Sequence, residues 1–319
     1  MAGALLLLIL GAADATPPAA EYAEFSLGGF TAVAGDNGAM GEHRNCYNGL
    51  YSLKAAGQSD SPFVPLYAGL NLEHYFDARP RPEDRQVFFE PRWAPMKFTK
   101  IDERTAELYQ PETAVYGVES RTRFVFSEPH YVDMEFACTP HKPMLPADGR
   151  GGFVGCFWAS YINAPEDKSI CFLASGSTLD SPKWVQFCTQ QHDRDSSVLW
   201  EKDALPVTFE PGVTTLYNCI SPLRYAEPFF YGRWRDMVLI YIFERGAPIR
   251  FAHSPSGGGS TPDGKDTNPA WDFQFFAPDA QVGKEYGFKM RLVYKPWAGR
   301  DDVLDEVRHY WAVRPAAKQ

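Results

Sequence analysis

The chain has no run of lysine or arginine, no C-x-x-C pair and no apolar stretch long enough to cross a bilayer. Nucleic acid needs a concentrated basic face. Here 31 basic residues stand against 40 acidic ones, a net charge of −9, so phosphate backbones are excluded as partners. A membrane-spanning helix needs about 20 apolar residues, more than any run supplies. P-loop, G-x-G-x-x-G and nucleophile-elbow G-x-S-x-G patterns are missing too. The six cysteines (Cys46, Cys138, Cys156, Cys171, Cys188, Cys219) stand singly, without the Cys–His spacing of a zinc site. Cys138 follows Val132, Met134 and Phe136 on one strand face, where a thiol serves as a small buried hydrophobe. If the chain is exported, one disulfide remains open to it, between partners the spacing does not choose. Asp263, Asp266 and Asn268 lack the bidentate Glu of an EF-hand and read as a solvated polar loop, so no metal and no cofactor is expected.

The apolar run near the start, Ala4-Leu5-Leu6-Leu7-Leu8-Ile9-Leu10, is short. It reads as the h-region of an export leader, with Ala13-Asp14-Ala15 as an A-x-A cleavage site. No Lys or Arg precedes it, and the alternative is a non-native leader. Residues 1–20 are therefore set apart, and 21–319 are expected to form one β-sandwich domain without internal repeats. Large all-β sandwiches reach this size as single domains. Ser254–Gly264 is the most flexible stretch and reads as a surface loop within that domain.

Aromatic residues make up 15% of the chain and charged residues 22%, the balance of a folded protein. Period-2 patterns dominate. Tyr131–Cys138 alternates cleanly, and Lys289–Lys295 does much the same. Further strands are expected at Phe25–Val33, Val64–Phe76, Met96–Ile101, Thr105–Tyr109, Phe153–Tyr161, Ser169–Leu173, Trp184–Gln190 and Trp271–Phe276. Met237–Phe243 is almost wholly apolar and is expected to be buried on both faces. The one expected helix is Asp301–Trp311, acidic in its first turn, with Arg308 and His309 near its end. A hairpin pairing Glu119–Phe126 with Tyr131–Cys138 would set Arg123 opposite Asp133 and Arg121 opposite Glu135, which makes these charges structural.

Ser221–Arg235 crowds five aromatic rings, three guanidinium groups and a carboxylate into a segment broken by proline and glycine. It reads as a loop feeding the buried Met237–Phe243 strand. Flat apolar faces beside hydrogen-bonding forks suit a sugar ring, whose C–H face stacks while its hydroxyls are read.

A long all-β chain with such loops resembles the galactose-mutarotase-like supersandwich. The resemblance is carried by Phe157–Lys168, Asn268–Phe273 and Arg291–Trp297, and covers about Phe25 to Trp297. It implies two large stacked antiparallel sheets with a sugar held on a concave one. Its members are sugar epimerases, polysaccharide lyases or non-catalytic domains, so it does not choose a reaction.

Histidine suits proton transfer at a sugar near neutral pH. His74 is one candidate, although strict alternation puts it with Leu70, Leu72 and Phe76, and Glu73 on the other face, the pattern of a core histidine. His192 shares a strand face with Trp184, Gln186 and Gln190, either a sugar-reading surface or a solvated sheet face. His253 stands beside the Ser254–Gly264 loop as a mobile partner or an incidental histidine. From the aromatic segment, Tyr225 and Glu227 are acid/base candidates, and Arg224, Tyr231, Arg233 and Arg235 are ligand-binding candidates. The alternative is a rim of Arg–Glu pairs over packed rings. Trp271 and Asp272 add a stacking ring and a hydroxyl acceptor. The expectation is an exported carbohydrate-active β-sandwich of epimerase or lyase type, its arginines tilting it toward an acidic sugar. A glycosidase is also open, as are a non-catalytic glycan binder and a structural surface protein. The partner expected is a sugar or polysaccharide, and the sequence sets no oligomeric state.

Overall fold

The computed structural model describes residues 19–145, 152–212 and 215–314. The expected cleavage site at Ala13–Ala15 lies outside them. Strands β1 (Tyr22–Leu27), β2 (Phe30–Gly35) and β3 (Gly49–Ala55) form a small antiparallel sheet. Strand β4 (Asn71–Phe76) leads into two one-turn helices, α1 (Arg85–Phe88) and α2 (Glu90–Trp93). A meander follows: β5 (Lys97–Asp102), β6 (Thr105–Gln110), β7 (Val118–Ser127) and β8 (Tyr131–Pro140). Next come β9 (Val154–Ala159), β10 (Ile170–Leu173), β11 (Trp184–Phe187) and β12 (Ser197–Trp200). Then come β13 (Ile220–Tyr225), β14 (Phe229–Trp234) and β15 (Met237–Phe243). The last strands are β16 (Ile249–Ser254), β17 (Ala270–Ala277) and β18 (Tyr286–Pro296), before helix α3 (Arg300–Val313).

Two large sheets stack. One has nine strands in the order β11-β10-β14-β15-β18-β8-β7-β6-β5, and the other six, in the order β13-β12-β16-β17-β9-β4. Neighbours are antiparallel except β12 and β13. Alternation along each strand sends one set of side chains between the sheets. Phe136 of β8 meets Trp158 of β9 edge-on at 4.6 Å, and Phe243 of β15 meets Phe273 of β17 at 4.9 Å. Strand β15 is buried on both faces, as its unbroken apolar run requires. Leu239, Tyr241 and Phe243 enter the inter-sheet core, while Val238, Ile240 and Ile242 meet Val303 and Val307 of α3. Each such side chain contributes about 1.5–3 kcal/mol by leaving water. No helix among the described residues is long and apolar enough to cross a membrane.

Several expectations need correction. Ser221–Arg235 is not a loop: it forms β13, a short turn and β14, and Phe229, Phe230, Tyr231 and Trp234 are buried. Its rings pack because β14 lies inside the nine-stranded sheet. Phe25–Val33 is two strands, reversed at Gly28-Gly29. Of Val64–Phe76 only Asn71–Phe76 is strand. The β7–β8 hairpin forms, but two residues away from the expected register. Arg123 lies opposite Glu135 and Arg121 opposite Ala137. The face assignment survives, since a shift of two preserves parity. The ion pairs change: Arg121 and Arg123 reach Glu107 of β6, and Asp133 takes Arg291 of β18 at 2.7 Å.

Candidate functional site

The site begins with a break in strand periodicity. Against β9, Leu72 lies opposite Trp158 and His74 opposite Phe157, which leaves Glu73 as an extra residue. This is a β-bulge, and it re-aims side chains. Leu72 and Tyr75 face the inter-sheet core, whereas Glu73 and His74 both line a cleft of 240 Å³ on the other face of the six-stranded sheet. The alternation expected for His74 and Glu73 is thus overturned by one inserted residue.

Glu73 is held from two sides. The Tyr161 hydroxyl donates to its Oε1 at 2.8 Å, and Arg92 Nη1 donates to the same oxygen at 3.2 Å. Its Oε2 lies 3.8 Å from His74 Nε2, too far for a hydrogen bond. His74 Nδ1 is 2.6 Å from the Phe88 carbonyl oxygen, which only accepts. The ring proton therefore sits on Nδ1, and in the neutral imidazole Nε2 keeps a free lone pair. Burial lowers the His74 pKa, against the pull of Glu73, and favours that neutral form. Burial raises the Tyr161 pKa far above that of a free phenol, with Glu73 adding to the effect, so this hydroxyl stays a donor.

Aromatic rings wall the cleft. Tyr67 lies 4.5 Å from Tyr47 and 5.1 Å from Tyr161, while Phe88 and Phe89 flank His74 at 4.2 and 4.7 Å. His43 holds the tyrosine wall from behind, its ring nitrogens 2.8 Å from the Tyr47 carbonyl and 3.0 Å from that of Tyr67. Arg92 is buried, its guanidinium 3.8 Å from the Tyr47 ring and its Nε donating to the Cys46 carbonyl. At the mouth, Arg81 and Arg85 are exposed and stack on Phe88 and Phe89. Neither makes an ion pair with another described residue. His192 joins this cleft at its rim, with Nδ1 2.7 Å from Ser254 Oγ and Nε2 3.6 Å from Asp193.

Of the residues singled out in the sequence, only His74 and His192 line this cleft. His253 points inward from β16 and is wholly buried between Thr189 and the Lys168 carbonyl, which makes it no mobile partner. Tyr225 and Glu227 border a separate hollow at the other end of β16. Trp184 and Tyr231 pack together at 5.3 Å on the α3 side of the nine-stranded sheet, where Arg300 donates to the Tyr231 hydroxyl. Gln186 donates to Asp167, and Gln190 is exposed. Arg224 caps nearby carbonyls, Arg233 stacks on Trp297, and Arg235 pairs with Asp60 at 2.8 Å. Trp271 is core, its indole donating to the Lys168 carbonyl. Asp272 is buried beside it in β17, and burial, then the charge of Glu73, pushes its carboxyl far up. The residues singled out in the sequence therefore lie in several separate places.

Glu73, Arg92 and Tyr161 were not among the expected site residues. The adjacent polar pair Glu73-His74 inside an apolar strand was the available signal for a bulge. Tyr161 lies within the stretch Phe157–Lys168 that carried the sequence resemblance, whereas nothing local marks Arg92.

No family model matches the chain, and no curated protein matches its sequence. Among solved structures, it is similar to a candidate aldose 1-epimerase from Escherichia coli K12, at 11% identity and a TM-score of 0.49. That alignment covers 87% of this chain and 100% of the other. The chain's own strands, stacked in two large sheets, make it a β-sandwich. Heparan sulfate lyase HepC from Pedobacter heparinus is similar at 9% identity and a TM-score of 0.42, over 90% of this chain and 37% of the lyase. A 4-alpha-glucanotransferase from Thermococcus litoralis is similar at 10% identity and a TM-score of 0.37, over 86% of this chain and 40% of the enzyme.

Proposed function

We propose that the protein binds a sugar in the Glu73–His74 cleft and moves a proton on it, as an epimerase or a lyase does. The observation that carries this reading is the bulge, which sets a neutral imidazole lone pair and a carboxylate oxygen 3.8 Å apart on one cleft face. A sugar hydroxyl or an acidic ring C–H between them would lose its proton to His74 Nε2. Arg92 and the Tyr161 hydroxyl hold Glu73 in place, and the Arg92 N–H groups not used on Glu73 or the Cys46 carbonyl offer donors to an oxygen that gains charge. The Tyr47 and Tyr67 rings suit the C–H face of a pyranose. Arg81 and Arg85, unpaired at the mouth, favour an acidic sugar, because guanidinium groups bind carboxylates bidentately.

The test is His74→Gln, assayed on neutral and uronic-acid saccharides. New unsaturated ends report a lyase, and anomer or epimer exchange by NMR reports an epimerase. The variant is expected to lose about 10²–10⁴-fold in turnover, the contribution of a general base, while saccharide affinity changes little. Full turnover in His74→Gln would remove the imidazole from the mechanism. Retention without turnover in the unaltered protein would make this a glycan binder. In the same reading an export leader lies within residues 1–20 and is cut at Ala13-Asp14-Ala15, so the mature protein recovered from its natural host should begin after Ala15.

A further inference from the structure

A second hollow, of 490 Å³, opens where the end of β12, the β13–β14 turn and the β15–β16 turn meet. It lies at the Ile249 end of β16, whereas Ser254, the partner of His192, ends the same strand. Five residues of strand separate the two, roughly 17 Å. Two side chains in the hollow are built in ways the fold does not require.

Trp200 remains 36% exposed although its ring is fixed, because the indole N–H donates to the Ala226 carbonyl at 3.0 Å. A rigid, part-exposed indole, with the mobile Lys202 ammonium 5.8 Å from its centroid, presents stacking area at little cost in side-chain entropy. Glu227 has 23% of its side chain exposed, and its carboxylate accepts no hydrogen bond from a described residue. Its nearest cation, Arg245 Nε, is 4.0 Å away, beyond hydrogen-bond reach, and that guanidinium is stacked on Trp311 at 4.1 Å. A half-buried carboxylate without donors gains from any ligand that brings hydroxyls. Burial also raises its pKa, a sign of the missing partners. No second carboxyl or phenol lining the hollow is free for acid/base chemistry, since the Tyr225 hydroxyl is committed to the Ile249 carbonyl and Asp203 to Arg250.

We propose that this hollow is a second, non-catalytic carbohydrate site, in which a neutral pyranose ring stacks on Trp200 and donates hydroxyls to Glu227. Pro228 and Leu205 supply apolar wall, and Lys202 at the rim donates to ring or hydroxyl oxygens. The site does not depend on proton transfer at His74, and it holds a sugar without changing it.

Affinity electrophoresis through gels containing soluble β-glucan, galactomannan or xylan tests the proposal. The unaltered protein is expected to be retarded in at least one gel. Trp200→Ala should weaken that binding at least tenfold, Trp200→Phe should keep part of it, and Glu227→Gln should weaken it severalfold at an unchanged melting temperature. If Trp200→Ala melts early, Glu227→Gln decides. Free migration in all three gels, or equal retardation of the unaltered protein and Glu227→Gln, overturns the site. Trp200→Ala and Glu227→Gln separate the two readings: neither side chain lines the Glu73–His74 cleft, so both variants should lose retardation while keeping whatever turnover that cleft supports.

Discussion

His74 Nδ1 faces a carbonyl, and that single contact decides what its other nitrogen offers. Because the carbonyl takes the ring proton, Nε2 is a base as long as the imidazole is neutral. Burial lowers the pKa from 6.5, so the ring stays neutral to lower pH than a free histidine. The acid limb of kcat/KM should accordingly fall below pH 6.5, and a limb above that value would show that another group titrates. Tyr161→Phe removes the hydroxyl that donates to Glu73 and leaves the ring. It should lower turnover about tenfold or more through the misplaced carboxylate, with saccharide affinity and melting temperature nearly unchanged. An unchanged rate would relegate Tyr161 to the aromatic wall.

At the scale of elements, β14 shows what alternation hides. The sequence of this stretch is aromatic and arginine-rich, and it reads as a binding loop because proline and glycine interrupt it. In the structure, Gly232 leaves the space that the Trp271 ring occupies across the sandwich, and a Cβ there would overlap that ring. Gly232→Ala should therefore destabilise by about 1–3 kcal/mol in chemical denaturation, and a neutral result would mean the sheets can separate locally. Helix α3 is held differently. Burial alone would raise the Glu306 pKa, but hydrogen bonds from His130 and Lys295 overcome it and bring the carboxyl down to about 2. Glu306→Ala leaves Lys295 with Asp302 alone and removes the acceptor of His130 and Tyr131, which should cost about 1–2 kcal/mol in chemical denaturation.

These elements also mark what was legible. Helix α3 runs on to Val313, so Arg308 and His309 fall short of its last turn. The paired alternations of β7 and β8, the two-sided apolar run of β15 and the acidic first turn of α3 declare themselves locally, because periodicity and charge at a helix start are local properties. The site does not. Glu73 depends on a bulge that only pairing with β9 defines, and Arg92 reaches the cleft from a one-turn helix 19 residues downstream. Trp271 and Tyr225 look like sugar platforms in sequence, yet both are sealed in the core, since an aromatic ring carries no local mark of which sheet will cover it.

For the whole molecule, buried histidines set a low-pH boundary. Burial lowers the pKa values of His43, His74 and His253, the last to about 4. An unfolded chain binds these protons near pH 6.5 and the folded one does not, so stability is full above 6.5 and falls as pH drops toward 4. For His253 alone the loss is about 3 kcal/mol. Glu306 adds a second loss below 4.5, down to its folded value near 2. Asp272, whose carboxyl burial pushes far up, acts in the opposite sense and gains stability as pH falls. The imidazole contribution is therefore read by comparing denaturation midpoints of the unaltered protein and His253→Gln from pH 7 to 4. Equal slopes would mean that this imidazole gains solvent or an anion on protonation.

The extra residue in β4 bears on how such a protein changes over generations. Removing the Glu73 codon would leave Leu72 facing inward and His74 outward in unbroken alternation, with every later residue of the strand still on its present side. One in-frame deletion would take away the carboxylate and little else of the sheet, and one insertion would restore it. Relatives of this chain could thus lose or regain the Glu73 carboxylate by a change of length at a single position, while the two stacked sheets continued to fold.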